Sequence, residues 1–146
     1  MTDAWALAAL HAAVFTTPRP WSADEFAAFL GQPGAFILSR QDDAGLGGLL
    51  VGRVVADEAE LLTLAVAPER QRQGHGAALV RSFLDEARRR GAATAFLEVA
   101  ADNLPAIALY RRFEFAESGC RRGYYRRPDG SPVDALVMAR NLRRQD

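Results

Sequence analysis

Two groups of residues in this chain are of types and spacings that could do chemistry. The first would bind an anion. Gln71-Arg72-Gln73-Gly74-His75-Gly76-Ala77 follows an apolar run, Leu61 to Ala67, that predicts a buried strand. It precedes an amphipathic run, Ala77 to Arg90, that predicts a helix. The free N–H groups at a helix start carry the positive end of its dipole and suit phosphate. Glycine there lets the backbone approach a phosphate without a Cβ in the way. A P-loop is excluded, because the Gly-Lys-Ser/Thr ending is missing and the chain has no lysine. The dinucleotide fingerprint is excluded as well, because Leu79 stands where its third glycine would be. The spacing fits Q/R-x-x-G-x-G/A, with Gln71, Gly74 and Gly76 in register. A plain glycine-bearing turn is the other reading of these residues.

The second group would move protons. Thr94-Ala95-Phe96-Leu97-Glu98-Val99 is an apolar strand with one carboxylate inside it, and a buried carboxylate is costly unless it is paired or has a task. Asn103, Ala106 and Tyr110 follow at helical spacing and share a face. A strand thus offers a carboxylate, and the next helix an amide and a phenol: an acid/base pair beside a polar anchor. Glu98 could instead serve an internal ion pair, and Tyr110 could be a core aromatic with its hydroxyl satisfied. Glu60 is a second candidate base. Cys120 has no histidine near it in sequence and is not expected to be a nucleophile.

The elements that must position these groups are read from periodicity. Helices are predicted over Asp3 to Phe15 and from the capping box Ser22-Ala23-Asp24-Glu25 to about Leu30. Strands are predicted over Ala35 to Ser39, Leu46 to Val55 and Glu60 to Val66, joined as hairpins. After the loop and the long helix, which Gly91 stops, come a strand to Val99 and a short helix, Asn103 to Phe113. Two last strands, Phe115 to Tyr125 and Val133 to Ala139, turn at Pro128-Asp129-Gly130. This order predicts an α+β fold with a mixed sheet.

At 146 residues the chain is expected to form one domain with one core. No apolar run approaches the ~20 residues of a membrane span. The first helix lacks a basic leader, so a cytoplasmic protein is expected. With a single cysteine and two scattered histidines, no disulfide framework and no metal site are expected. The net charge is zero, but residues 1–60 hold three Arg against eight Asp/Glu, and residues 61–146 fifteen against ten. That asymmetry suits a cationic acceptor and a phosphate-rich cofactor, or is ordinary solvated surface. The basic residues come in pairs and the pI is near neutral, which disfavours nucleic-acid binding.

The phosphate loop, together with Leu97-Glu98-Val99, Asn103 with Ala106-Ile107-Ala108-Leu109-Tyr110, and Arg121-Arg122-x-Tyr124-Tyr125, resembles the GNAT N-acetyltransferases of RimI type. Pro20-Trp21-Ser22, Asp57 to Leu61, Ala65-Val66-x-Pro68, Asp129-Gly130 and Asp134-Ala135 extend the likeness across roughly residues 3–142. The resemblance implies a single GNAT domain over residues 1–146, with a central, mostly antiparallel twisted sheet flanked by helices. It implies direct acetyl transfer from acetyl-CoA, without a metal, to a protein N-terminus, the alanine of a small-subunit ribosomal protein above all. Glu98 matches the family's base and Tyr110 its acid. Leu64, Ala65 and Val66 would hold the pantetheine arm, Arg72, Gln73, Gly74, His75, Gly76 and Ala77 the pyrophosphate, and Asn103 the cofactor near its thioester. Tyr124 and Tyr125 would clamp the acceptor. A GNAT for small amines, or an acetyl-CoA-binding module without catalysis, are the rival expectations.

Three features depart from the family pattern. Only Met1 and Thr2 precede the helical pattern, so the family's first edge strand is expected to be absent, or the start is assigned late. Glu114 holds the place of a glycine after the Tyr110 helix. His75 is the loop's spacer and is expected to face solvent.

Overall fold

The computed structural model describes residues 4–15 and 19–143. Four helices and six strands follow the predicted order: α1 (Ala4–Val14), α2 (Ala23–Leu30), β1 (Ala35–Asp42), β2 (Gly45–Val55), β3 (Glu58–Val66), α3 (His75–Arg89), β4 (Thr94–Ala100), α4 (Leu104–Arg112), β5 (Ala116–Arg126) and β6 (Pro132–Asn141). The residues in which a first edge strand would be sought lie outside the described residues. The capping box of α2 is present, with Ser22 accepting from the Glu25 N–H and Glu25 accepting from the Ser22 N–H.

The strands form one mixed sheet in the order β1-β2-β3-β4-β6-β5. Every neighbouring pair is antiparallel except β3–β4. That parallel pair is short: it runs from Glu58↔Thr94 to Leu61↔Leu97 and stops. Both strands continue beyond it, to Val66 and Ala100, so their C-terminal halves do not pair with each other. The separation coincides with a bulge, where the β2–β3 register shifts between Val51↔Thr63 and Gly52↔Leu61 and leaves Leu62 as the extra residue.

The bulge also resets which side each β3 residue faces. Before it, Ala59 and Leu61 pack with Leu79, Phe83, Leu97 and Tyr110 in the α3–α4 layer. Beyond it, Leu64 and Val66 take that side, and Leu62 and Ala65 join Leu7, Leu10 and Phe26 in the α1–α2 layer. Two apolar layers thus cover the two faces of the sheet, as burial of a sheet between helices requires. The α1–α2 layer is tied to β3 by a buried polar bridge: the Trp21 N–H donates to His11 Nδ1 at 3.0 Å, and His11 Nε2 lies 2.7 Å from Thr63 Oγ1.

Candidate active site

A cavity of about 830 Å³ opens where β3 and β4 part. One wall is the glycine loop and the start of α3: Gln71, Arg72, Gly74, His75, Gly76 and Ala77. Gly74 is the N-cap of α3 and takes φ +84°, a left-handed conformation that glycine adopts without strain. The helix therefore begins at His75, two residues before the predicted start. Ala78 is the first residue of α3 whose N–H bonds back to the cap, at Gly74 O. The preceding N–H groups of His75, Gly76 and Ala77 stand at the helix start, in the cavity wall. Leu64 and Val66 on the parted strand form a second side, and Asp102, Asn103, Pro105, Ala106, Leu109 and Arg112 around α4 a third. Arg72, Arg112 and Arg127 are among the lining residues, Arg127 with its guanidinium paired to Asp102 at 3.1 Å. This donor set fits a diphosphate with an extended polar arm. Among the described residues, no group of three or more His, Cys, Asp or Glu could hold a metal ion.

The loop is held from behind. Gln71 Nε2 donates to Val66 O at 3.1 Å. Arg70 is buried, donates to Asp42 Oδ1 at 2.7 Å and to Gly45 O at 3.3 Å, and so ties the loop to the β1–β2 hairpin. His75 is half-buried, and Arg40 Nε on β1 donates to its Nδ1 at 3.2 Å. Asn103 caps α4, with Oδ1 accepting from the Ala106 N–H at 3.3 Å, while its residue lines the cavity.

The candidate proton-transfer residues flank the parted strands. Ala95, Leu97 and Val99 point into the α3–α4 layer; alternation turns Glu98 to the opposite face. There Glu98 Oε2 is buried and accepts no hydrogen bond from the described residues, with Arg121 Nε at 3.3 Å. Glu60 lies on the neighbouring strand, 3.5 Å from Arg53 Nη2. Burial pushes its carboxyl above the ordinary range, the Arg53 charge opposes that, and the Glu98 charge adds to it. Tyr110 is buried among the core residues of the α3–α4 layer and meets Phe115 edge-on. Burial raises its phenol well above the usual value, and Tyr125 adds to the effect. Tyr125 is itself pushed up to about 12, first by burial and then by the Glu98 charge. Both phenols therefore hold their protons at neutral pH. Tyr124 is exposed and packs edge-on against Tyr125.

The sequence profile of the acetyltransferase (GNAT) family matches residues 5–115. The chain belongs to the GNAT family. The [ribosomal protein bS18]-alanine N-acetyltransferase of Escherichia coli (strain K12) is 42% identical over 120 residues, 82% of this chain and 80% of the relative. The N-alpha-acetyltransferase RimI of Mycobacterium tuberculosis is 36% identical over 143 residues, 95% of this chain and 87% of the relative. The crystal structure of the ribosomal-protein-S18-alanine N-acetyltransferase from Escherichia coli superposes with a TM-score of 0.85 at 36% identity, covering 95% of this chain and 87% of that one. The protein is thus a GNAT acyltransferase of RimI type, and acetyl-CoA is the cosubstrate of its family.

Of the residues expected to hold that cosubstrate, Leu64, Val66, Arg72, Gly74, His75, Gly76, Ala77 and Asn103 line the cavity, whereas Ala65 and Gln73 do not. Ala65 is buried toward α1 and α2, and Gln73 is exposed. Glu98, Tyr110, Tyr124 and Tyr125 are absent from the lining too. Sequence reasoning missed Val14 and Phe15 at the end of α1, and Arg127 and Pro128 after β5. It also missed Arg112, although Pro105, Leu109 and Arg112 recur at helical spacing and could have been read as one face.

Proposed function

We propose that this GNAT enzyme transfers the acetyl group of acetyl-CoA to the N-terminal α-amine of a protein, with the N-terminal alanine of a small-subunit ribosomal protein as the preferred acceptor. It acts as one domain over residues 1–146, in the cytoplasm. The single observation that carries the reading is the opening between β3 and β4, with the phosphate-suited loop at one end and Glu98 beside it. The names borne by the relatives supply the acceptor.

Backbone groups of Leu64, Ala65 and Val66, freed from pairing with β4, hold the pantetheine arm. The loop from Arg72 to Ala77 holds the diphosphate, and Asn103 anchors the arm near the thioester. A peptide α-amine, with a pKa of roughly 7.7–8.0, attacks only when neutral, so a modest base suffices. Glu98 takes its proton, directly or through one water. The nitrogen lone pair forms the new bond to the acetyl carbon, the carbon–sulfur bond breaks, and the nitrogen gives up its extra proton to solvent. The leaving thiolate resembles a cysteine thiolate, with a pKa of about 8.5. Tyr110, which stays protonated in its buried seat, donates to it. Tyr124 and Tyr125 on β5 clamp the acceptor's first residues.

Release of CoA from acetyl-CoA with a peptide panel tests the reading. Turnover on a free Ala N-terminus, and silence on its N-blocked counterpart, is expected. Turnover on lysine or a polyamine, with silence on every peptide, would overturn the acceptor while leaving fold and cosubstrate in place.

A further inference from the structure

The one buried carboxylate oxygen of the proposed base faces a cation. Glu98 Oε2 is buried, accepts no hydrogen bond from the described residues, and has Arg121 Nε 3.3 Å away. The two side chains differ in freedom: that of Glu98 is 22% exposed, and that of Arg121 is 56% exposed. In the same position its guanidinium carbon lies 5.2 Å from the centre of the Tyr124 ring, within cation–π range, so one arginine touches both the base and a tyrosine of β5. Tyr124 belongs to the pair assigned above to the acceptor. Arg121 precedes a break in the β5–β6 register, after which pairing resumes at Tyr125↔Val133, and Asp134 Oδ1 holds the Gly123 N–H at 2.8 Å inside that break. The strand next to Arg121 is therefore irregular but tethered, while the arginine side chain itself reaches into solvent.

We propose that Arg121 guards the Glu98 carboxylate: without an acceptor its guanidinium stands where the acceptor's ammonium will stand, and it yields that position, on its exposed side, when the acceptor arrives. The proposal rests on Glu98 being the base. An uncovered carboxylate beside a bound thioester would activate water as readily as an amine. Water would then lose a proton to Glu98 and form a carbon–oxygen bond to the acetyl carbon. The carbon–sulfur bond would break, giving acetic acid, which loses its proton to solvent, and CoA thiolate, which takes a proton from Tyr110. The guard suppresses that loss and yields only to a cation able to replace it. A free N-terminus qualifies; a blocked one does not. The other charged and titratable groups facing this corner are Arg53 and Glu60 on β2 and β3 and Tyr125 on β5. None of them lies within ion-pair distance of Glu98 in the described structure.

Arg121→Met keeps the aliphatic stem and removes the charge. With acetyl-CoA alone, this variant should release CoA about two- to fivefold faster than the wild type, the scale of a part-exposed ion pair. With an Ala-starting peptide its KM for peptide should fall by a similar factor, while KM for acetyl-CoA stays the same. Adding Glu98→Gln to Arg121→Met should return acceptor-free release to the wild-type level. A purely structural role for Arg121 cannot produce a gain that depends on Glu98. Unchanged or slower acceptor-free release, a gain that survives Glu98→Gln, or a peptide KM that stays or rises would each overturn the guard. Wild-type enzyme inactive on all peptides would instead overturn the proposed acceptor, so the two failures are distinguishable.

Discussion

Glu98 and Tyr110 stand on opposite faces of the sheet. Leu97 and Val99 share the α3–α4 layer with Tyr110, and alternation along β4 turns Glu98 the other way. The gap that opens beyond Leu61↔Leu97 joins the two sides. An acyl group lying in that gap would meet a base on one side and a phenol on the other, so attack and departure need not compete for space. Glu98→Gln is expected to lower kcat/KM for peptide by roughly 10²-fold or more, the scale of a general base, with the largest loss at low pH, where the amine is most protonated. Tyr110→Phe should slow transfer while acetyl-CoA binding, read by calorimetry, is unchanged. Wild-type rates in both variants would remove these assignments.

His11 predicts a pH dependence of stability rather than of catalysis. Burial lowers its pKa from 6.5 to about 4, against a smaller opposing pull from Glu25. The Trp21 N–H occupies Nδ1, so the neutral ring donates from Nε2 to Thr63. Between pH 6.5 and 4 the unfolded chain binds more protons at this site than the folded one, so stability falls as the pH drops through that window. Below it both states are protonated and the loss is complete. A shift of this size corresponds to about 3 kcal/mol. Urea unfolding at a series of pH values should show this slope in the wild type, and a much flatter one in His11→Gln. Parallel curves would contradict it.

Glu114 tests how a strained turn is compensated. It takes φ +67° in the place where the family carries glycine. The turn is a complete Schellman arrangement: the Phe115 N–H bonds to Tyr110 O at 3.1 Å and the Glu114 N–H to Arg111 O at 2.9 Å. Arg140 supports it, donating to Phe113 O at 2.8 Å and standing 3.3 Å from Glu114 Oε2. Glu114→Gly relieves roughly 1 kcal/mol of backbone strain and loses a half-exposed ion pair worth about 0–1 kcal/mol. Its unfolding free energy should thus stay within about 1 kcal/mol of the wild type. Arg140→Ala strands a carbonyl and should cost about 1–3 kcal/mol. The reverse ranking would show that the turn is held some other way.

Gly47 controls the seat of Arg70. A Cβ at Gly47 would lie 2.1 Å from Arg70 Nη1, so Gly47→Ala must expel the arginine from its bonds to Asp42 and Gly45. About 1–3 kcal/mol of stability should be lost, and KM for acetyl-CoA should rise because the loop loses its tie to the β1–β2 hairpin. On an Arg70→Ala background the same substitution should have little effect, since the two residues share one interaction. Equal losses on both backgrounds would contradict the account.

These residues also mark what the sequence made legible. The left-handed turn at Glu114 was readable because its motif has a fixed place for glycine, and the capping box at Ser22 because both partners are local. The start of α3 at His75 was hidden, since two glycines resemble a loop until Gly74 is seen to take the cap conformation. The bulge at Leu62 left no trace in a run whose residues are almost all apolar. Arg70 beneath the β1–β2 hairpin, Arg40 against His75, and Arg127 at the cavity depend on partners far along the chain, which local spacing cannot register. Around the cavity, the loop and α4 motif residues that line it were legible, and the long-range groups that brace it were not.

Transfer to an α-amine is tested most directly by a competition between two amines on one peptide. A peptide that begins with alanine and carries an internal lysine offers both amines at the same concentration. After partial reaction with acetyl-CoA, fragmentation mass spectrometry locates the acetyl group. Acetylation confined to the N-terminal alanine is the predicted result. Acetyl on the lysine side chain, or on both amines alike, would contradict an enzyme that reads a protein N-terminus.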